Sequence, residues 1–374
     1  MKLLFTTTLL LFGITLSAQY NYGLDVCNQD AKIEGKLNIF DGGNSIYIGQ
    51  NAGQLDDGTN NSNVFIGHFS GISNIDATGN TFIGHSAGQQ NTDGYLNTLI
   101  GFNSGIENSS GYYNTFVGGN AGTTNSSGFH NTFIGTHSGL ANSSGQFNTF
   151  LGARSGESNS SGWYNTYIGE STGINSSSGD LNTFVGRFAG RFNTSGEENT
   201  FIGVDAGLLN TIGIQNVALG VRAGFSNDLG VGNVLVGTDS GYSNGSGQNV
   251  MLGTSSGYNN INGSSNVFIG SLSGFNETRS NQLYIENSST SQPLIYGEFN
   301  NNRAGINWDS SIPLPATLSV NGSLHISEFA KLEPQGGPPS TCSSAAEYGL
   351  IYYDNSSTTH KLKICTNAGW ENLN

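Results

Sequence analysis

An asparagine opens the same five-residue phrase every 17 residues along this chain, at positions 63, 80, 97, 114, 131, 148, 165, 182, 199, 216 and 233. The phrase is a short apolar run closed by glycine, as in Asn80-Thr81-Phe82-Ile83-Gly84, Asn114-Thr115-Phe116-Val117-Gly118 and Asn216-Val217-Ala218-Leu219-Gly220. Asn249 and Asn266 continue it with slightly altered spacing. A fixed period of this length marks a solenoid, in which each unit buries its apolar face only against its neighbours. The expected fold class is therefore all-β, a parallel β-solenoid or β-roll of about fourteen coils, which at about 4.8 Å per coil makes a rod of roughly 65–70 Å. Glycine is abundant, at 56 residues, and charged residues are only 10% of the chain. That composition also suits disorder, but a solvated chain has no need for periodic bulky apolar residues.

The unit from Asn97 shows how a coil is built. Asn97 to Gly101 reads as a strand, Phe102 to Gly105 as a turn, Ile106 to Asn108 as a second short extended piece, and Ser109 to Gly111 as the turn back. Numbered from its asparagine, each unit has glycines at positions 5, 9 and 15, where the reading places positive φ. Position 8 is small (Ala87, Ser104, Ala121, Ser138), which lets stacked turns approach closely. The opening asparagines are expected to form an amide ladder, each bonding to the coils above and below. Simple turn preference accounts for them as well.

Both strand faces are apolar. Position 3 is bulky (Phe82, Phe116, Phe133, Phe150, Tyr167, Phe184, Phe201), while positions 2 and 4 pair Thr or Val with Ile, Val or Leu. A sheet with one wet face should alternate apolar with polar. One face fills the coil and the other needs a cover, which another copy of the chain supplies most simply. The expectation is a homotrimer about the long axis, with the choice of inward face left open.

The first residues read as a secretory signal over 1–18: Lys2, an apolar stretch from Leu3 to Leu16, then Leu16-Ser17-Ala18 before Gln19. No later segment is long and apolar enough for an integral membrane span. The implied localisation is extracellular or at the cell surface. The formal charge is −14, or −15 without Lys2, and no lysine stands between Asn44 and Ser280. Nucleic-acid binding is excluded on that balance, since it requires cations to neutralise phosphates. Of the cysteines, Cys342 and Cys365 are expected to form a disulfide, leaving Cys27 over.

Asn216-Val217-Ala218-Leu219-Gly220 and Ser45-Ile46-Tyr47-Ile48-Gly49 resemble the repeat of trimeric autotransporter adhesin heads (YadA-like). The resemblance spans about residues 45–280 and implies a left-handed, trimeric β-roll that binds host or matrix surfaces. Two departures stand out: a longer unit with an added turn such as Ser126-Ser127-Gly128, and neither a heptad stalk nor a membrane barrel. Self-export and barrel anchoring are thus not implied. Segments such as Ala316-Thr317-Leu318-Ser319-Val320-Asn321-Gly322 resemble parts of phage-fibre and secreted surface proteins. The domain reading is a linker or cap over 19–44, the β-roll over 45–280, a strand-rich transition over 281–334 and a small β module over 335–374.

Catalytic chemistry is mostly refused. Gly84-His85-Ser86-Ala87-Gly88, Gly169-Glu170-Ser171-Thr172-Gly173, Gly241-Tyr242-Ser243-Asn244-Gly245 and Gly253-Thr254-Ser255-Ser256-Gly257 match GxSxG, but a nucleophile elbow needs one such turn between a strand and a helix. His68 and His85 share position 6 of successive coils without the further ligands a metal requires. No enzyme activity and no cofactor are expected. Asn108-Ser109-Ser110 and Asn142-Ser143-Ser144 match glycosylation acceptors, recurring because the turn recurs. The candidate ligand-contact residues are aromatics at positions 16 and 17: Tyr112, Tyr113, Phe129, Phe147, Trp163 and Tyr164. If exposed they suit sugar rings or a hydrophobic partner; packing at the coil edge or between chains is the alternative. The expected function is an adhesin or fibre contacting a host, matrix, glycan or other surface. Its rivals are an ice-binding solenoid using the Thr-x-Ile ladder and a structural spacer with a binding tip.

Overall fold

Position 3 decides how each coil closes. In the computed structural model, which describes residues 44–58, 60–325, 334–335, 342, 351–354 and 361–373, the side chain at this position points into the coil. The expected signal segment, Cys27 and nearly all of the 19–44 linker lie outside the described residues. Phe65, Phe82, Phe116, Phe133, Phe150 and Phe184 are fully buried. Their rings stack in register, with centroids 4.7 Å apart for Phe116–Phe133 and 4.8 Å for Phe133–Phe150. A buried Phe contributes roughly 1.5–3 kcal/mol, and stacked rings add about 0.5–1.5 kcal/mol per pair.

Around this column run three-residue parallel strands, from β1 (Ile46–Ile48) and β2 (Val64–Ile66) through β14 (Val267–Ile269). Each pairs with the next in strict register, so Thr132 faces Thr149 and Phe133 faces Phe150. Alternation turns positions 2 and 4 outward, where they are half-buried or exposed. The question of the inward face is thereby answered. The parallel ladder continues one strand past residue 280, into β15 (Gln282–Ile285), where Leu283 lies over Val267. β16 (Ile295–Glu298) and β17 (Arg303–Ile306) then pair antiparallel, and β18 (Leu318–Val320) pairs parallel with β17, completing an eighteen-stranded sheet.

The rest of each coil is turn, so the second extended piece expected at Ile106 to Asn108 does not form. Its backbone still bonds from coil to coil: Gly105 N–H donates to the Ala121 carbonyl at 2.9 Å, and Glu107 N–H to the Thr123 carbonyl at 2.9 Å. Turns that bond along the stack satisfy the main chain while bending too sharply to be strand. Position 8 is small because its side chain lies under the next strand, and a serine there bonds to it. Ser138 Oγ donates to the Phe150 carbonyl at 3.2 Å.

The glycine expectation needs one correction. Glycines at positions 5 and 9 do take positive φ, for example 138° at Gly118 and 55° at Gly173. Position 15 does not, and the positive φ falls instead on positions 7 and 17 whatever residue stands there, from Ser86 at 56° to Phe188 at 60° and Tyr113 at 54°. Position 15 is glycine for want of room. A Cβ on Gly111 would press on Asn108 and Gly128 and lie 2.6 Å from the Asn125 amide nitrogen.

A second compact unit begins at Gly322. Its described strands are β19 (Pro334–Gln335), β20 (Ile351–Asp354), β21 (Lys361–Thr366) and β22 (Gly369–Asn372), with β20, β21 and β22 pairing antiparallel. The expected Cys342–Cys365 disulfide is present, with Cα atoms 5.5 Å apart. Among the described residues no helix is long and apolar enough to cross a membrane.

Candidate functional site

Two asparagine systems hold the turns in place. The opening asparagine bonds amide to amide only on some coils, as Asn97 Nδ2 to Asn80 Oδ1 at 3.2 Å and Asn233 Nδ2 to Asn216 Oδ1 at 3.0 Å. Its Oδ1 accepts the backbone N–H of the next opening asparagine (Asn114 N to Asn97 Oδ1, 2.9 Å), and its Nδ2 donates to the position 15 carbonyl of its own coil (Asn114 to Gly128, 2.8 Å). The longer amide ladder is at position 12. Asn91 Nδ2 donates to Asn74 Oδ1 at 3.0 Å, Asn108 to Asn91 at 3.0 Å, Asn125 to Asn108 at 2.6 Å and Asn142 to Asn125 at 2.6 Å. Because Asn108 and Asn142 are fully buried in this ladder, their Asn-Ser-Ser sequences are closed to modification in the folded coil.

The ladder breaks where position 12 is Ser176. Asn159 Oδ1 is left buried without a partner. The same coil has tyrosine where its neighbours have phenylalanine, and Tyr167 Oη lies 2.8 Å from Ser176 Oγ. The longer ring fills the space the shorter residue leaves. Burial pushes the Tyr167 phenol well above its ordinary pKa. A second break falls between Asn210 and Asn227, whose Oδ1 and Nδ2 are both unpartnered.

With the turns fixed, outward residues repeat at a constant step and form columns. The aromatics at position 16 stack from Tyr95 to Tyr112 to Phe129, with centroids 4.9 and 4.7 Å apart. Those at position 17 stack from Tyr113 through His130 and Phe147 to Tyr164, at 4.8, 5.1 and 4.7 Å. All six candidate aromatics therefore lie on one turn, with Trp163 tilted against Tyr164. Tyr113 and Tyr164 are each 47% exposed. Sequence reasoning missed Tyr95 and His130, which the repeat number alone places in the same columns. Stacking has a chemical consequence: within a column the ring faces cover one another and the edges point outward. A sugar ring packs on a face, so these columns suit a broad apolar contact better than a stacked glycan.

A third column, also missed, stands at position 10. Phe225, Tyr242, Tyr258 and Phe275 stack at 4.8, 4.8 and 5.1 Å and are partly exposed. At position 6, His68 and His85 do lie together, 5.2 Å between centroids, and Phe102 continues the column 5.3 Å beyond His85. No group of three or more potential metal ligands occurs among the described residues. The GxSxG serines lie in coil turns; Ser86 is buried with its Oγ 3.0 Å from His85 Nδ1.

Where the 17-residue repeat ends, a charged cluster forms. Glu277 accepts from Arg279 Nε at 2.9 Å, from Arg279 Nη2 at 2.6 Å and from Tyr284 Oη at 2.6 Å. Burial raises the Glu277 pKa, but these donors outweigh it and hold the carboxyl below its usual range. Beside this cluster a cavity of about 260 Å³ is lined by Phe275, Glu277, Ser291 and Ser310 among others. Compared with protein-family models, curated proteins and solved structures, the chain matches none of them.

Proposed function

We propose that this chain is a secreted or cell-surface fibre or adhesin that works without catalysis. In this reading a trimeric rod of stacked coils holds repeated outward side chains against a host, matrix, glycan or other surface. The observation that carries it is the position 10 column, four rings at a constant step on a turn remote from the strand. Repetition converts weak contacts into avidity, and three copies multiply it. The Thr-x-Ile strand face supports the trimer: outward and partly apolar on every coil, it would be costly to leave wet.

The test is binding of the full chain to immobilised polysaccharides and matrix proteins. The expected result is retention that Tyr242→Ala with Tyr258→Ala lowers at unchanged solution mass. A protein of trimeric mass that binds nothing in the panel reduces the rod to a spacer. One observation favours a second reading: Thr81 to Thr200 present the same outward threonine on eight successive strands. An ice-binding surface would use this face wet, so a monomeric mass together with thermal hysteresis would replace the fibre reading.

A further inference from the structure

The last coil of the repeat leaves two main-chain donors unmatched. In the coils before it, the position 9 N–H donates to the position 8 carbonyl of the next coil, and the position 11 N–H to its position 10 carbonyl. Gly257 donates to Ser273 at 2.9 Å in this way, and Asn259 to Phe275 at 2.9 Å. The coil that begins at Asn266 has no further coil turn bonded to it, because the chain leaves β15 for the antiparallel β16. Its equivalent donors, Gly274 N–H and Asn276 N–H, have no partner among the described residues. Gly274 is buried, where a donor in that state is rare.

The position 10 column ends at the same place. Tyr258 covers one face of Phe275, with centroids 5.1 Å apart, and no ring among the described residues covers the other. One step on, the column would continue at Ser291. Phe275 therefore offers what the rest of the column hides, a ring face. Position 12 changes as well. Glu277 stands there, and a carboxylate only accepts, so the amide ladder stops at Asn260, which donates to Asn244 Oδ1 at 2.9 Å.

These groups meet in the cavity of about 260 Å³, which Gly274, Phe275 and Asn276 line together with Ser289, Thr290 and Ser291 from the loop after β15. The three loop residues are exposed. Thr290 Oγ1 accepts the Gln292 N–H at 3.1 Å and keeps its own proton to donate. Glu277 is bound by Arg279 at 2.6 and 2.9 Å, so its charge is matched within the chain. We propose that this cavity binds one uncharged sugar residue, stacked on the open face of Phe275. Sugar oxygens accept from the Gly274 and Asn276 N–H groups, and sugar hydroxyls exchange hydrogen bonds with Ser289, Thr290 and Ser291. An apolar ligand would leave both N–H donors buried and unpaired. An ion would meet a lining with no uncompensated charge. The cavity is smaller than the roughly 300–1,000 Å³ of pockets for drug-sized ligands, which suits a single ring. The site is complete within one copy of the chain and goes beyond the adhesive reading, needing neither the trimer nor contact along the column.

The test is saturation-transfer NMR on the full chain, with free glucose, galactose, mannose, N-acetylglucosamine and N-acetylgalactosamine as probes. At least one is expected to bind saturably at millimolar concentration and to slow amide exchange over residues 274–277. Phe275→Ala is expected to weaken that binding by about fivefold or more. Ser291→Tyr, which puts a ring into the cavity, is expected to abolish it, with circular dichroism unchanged in both variants. Tyr242→Ala, farther along the column, is expected to leave it as it was. Absence of saturable binding by every probe overturns the site, as does binding that survives both Phe275→Ala and Ser291→Tyr. A chain that takes no sugar but is retained on surfaces loses this site and keeps the adhesive reading; one that takes sugar but is retained nowhere does the reverse.

Discussion

Tyr167 and Ser176 form a natural double substitution within one coil, and their coupling can be measured. Tyr167→Phe removes a 2.8 Å hydrogen bond inside a fully buried site and strands the Ser176 hydroxyl, at a cost of about 1–3 kcal/mol. Ser176→Asn alone drives a longer side chain into space held by the phenol oxygen, an overpacking cost of about 1–3 kcal/mol. Added independently, these losses come to about 2–6 kcal/mol. Together, however, the two changes restore the phenylalanine and asparagine of the neighbouring coils. The new amide would reach Asn159 Oδ1, now buried without a partner, and could accept from Asn193 Nδ2. The double variant is therefore expected to be at least as stable as the parent, a coupling of at least about 2 kcal/mol. Urea unfolding of the full chain by circular dichroism gives the global comparison. Because a repeat array need not unfold in two states, amide exchange at residues 166–168 supplies the local one. If the double variant loses the sum of the single losses, the complementary-pair account is wrong.

Gly118 and Gly119 are adjacent but should respond oppositely to alanine. At Gly118, φ is 138° and a Cβ would lie 2.6 Å from the Gly135 carbonyl carbon, so Gly118→Ala should cost at least about 2 kcal/mol by urea unfolding. Gly119 has open space around its Cβ position, and Gly119→Ala should be neutral or gain about 0.4–1 kcal/mol. The Glu277 carboxyl sits below its usual range when folded, so its contribution is present above the unfolded value of about 4.3 and is lost as pH falls through the folded one. Amide exchange near residues 277 to 284 should accelerate in that acid window, and Glu277→Gln should abolish the dependence. Reducing the Cys342–Cys365 disulfide, a separation of 23 residues, should destabilise the C-terminal unit by about 3 kcal/mol while leaving the solenoid's unfolding curve in place.

Much of the fold was legible because the repeat fixes register, and register fixes which residues stack. The strand and its coil-to-coil register followed from spacing, and the cysteine pair from an exported context. The inward face did not, since positions 2, 3 and 4 are all apolar. A usable signal was nonetheless present: the glycine at position 9 is constant because the position 3 side chain lies against it, a Cβ on Gly173 falling 2.6 Å from the Tyr167 ring. The buried ladder was overlooked for a different reason. Asparagine at position 12 reads as an ordinary turn residue, and only the closed coil shows it pointing inward. Positive φ at Tyr113 and Phe188 left no trace in residue type, because the coil-to-coil bonds impose it on whatever side chain stands there. Among the candidate aromatics, stacking was implied by the period, whereas edge-outward presentation required the backbone.

Tyr167 and Ser176 belong to the same coil, so the pair is gained or lost together. Deleting residues 165 to 181 as a block would set Asn193 directly over Asn159 and join the ladder across the cut. Rod length is thus a heritable variable that changes in whole steps, by duplication or loss of a 51-nucleotide coding unit, without exposing a new orphaned amide. Selection can adjust how far the two ends stand apart while leaving the chemistry of each turn untouched.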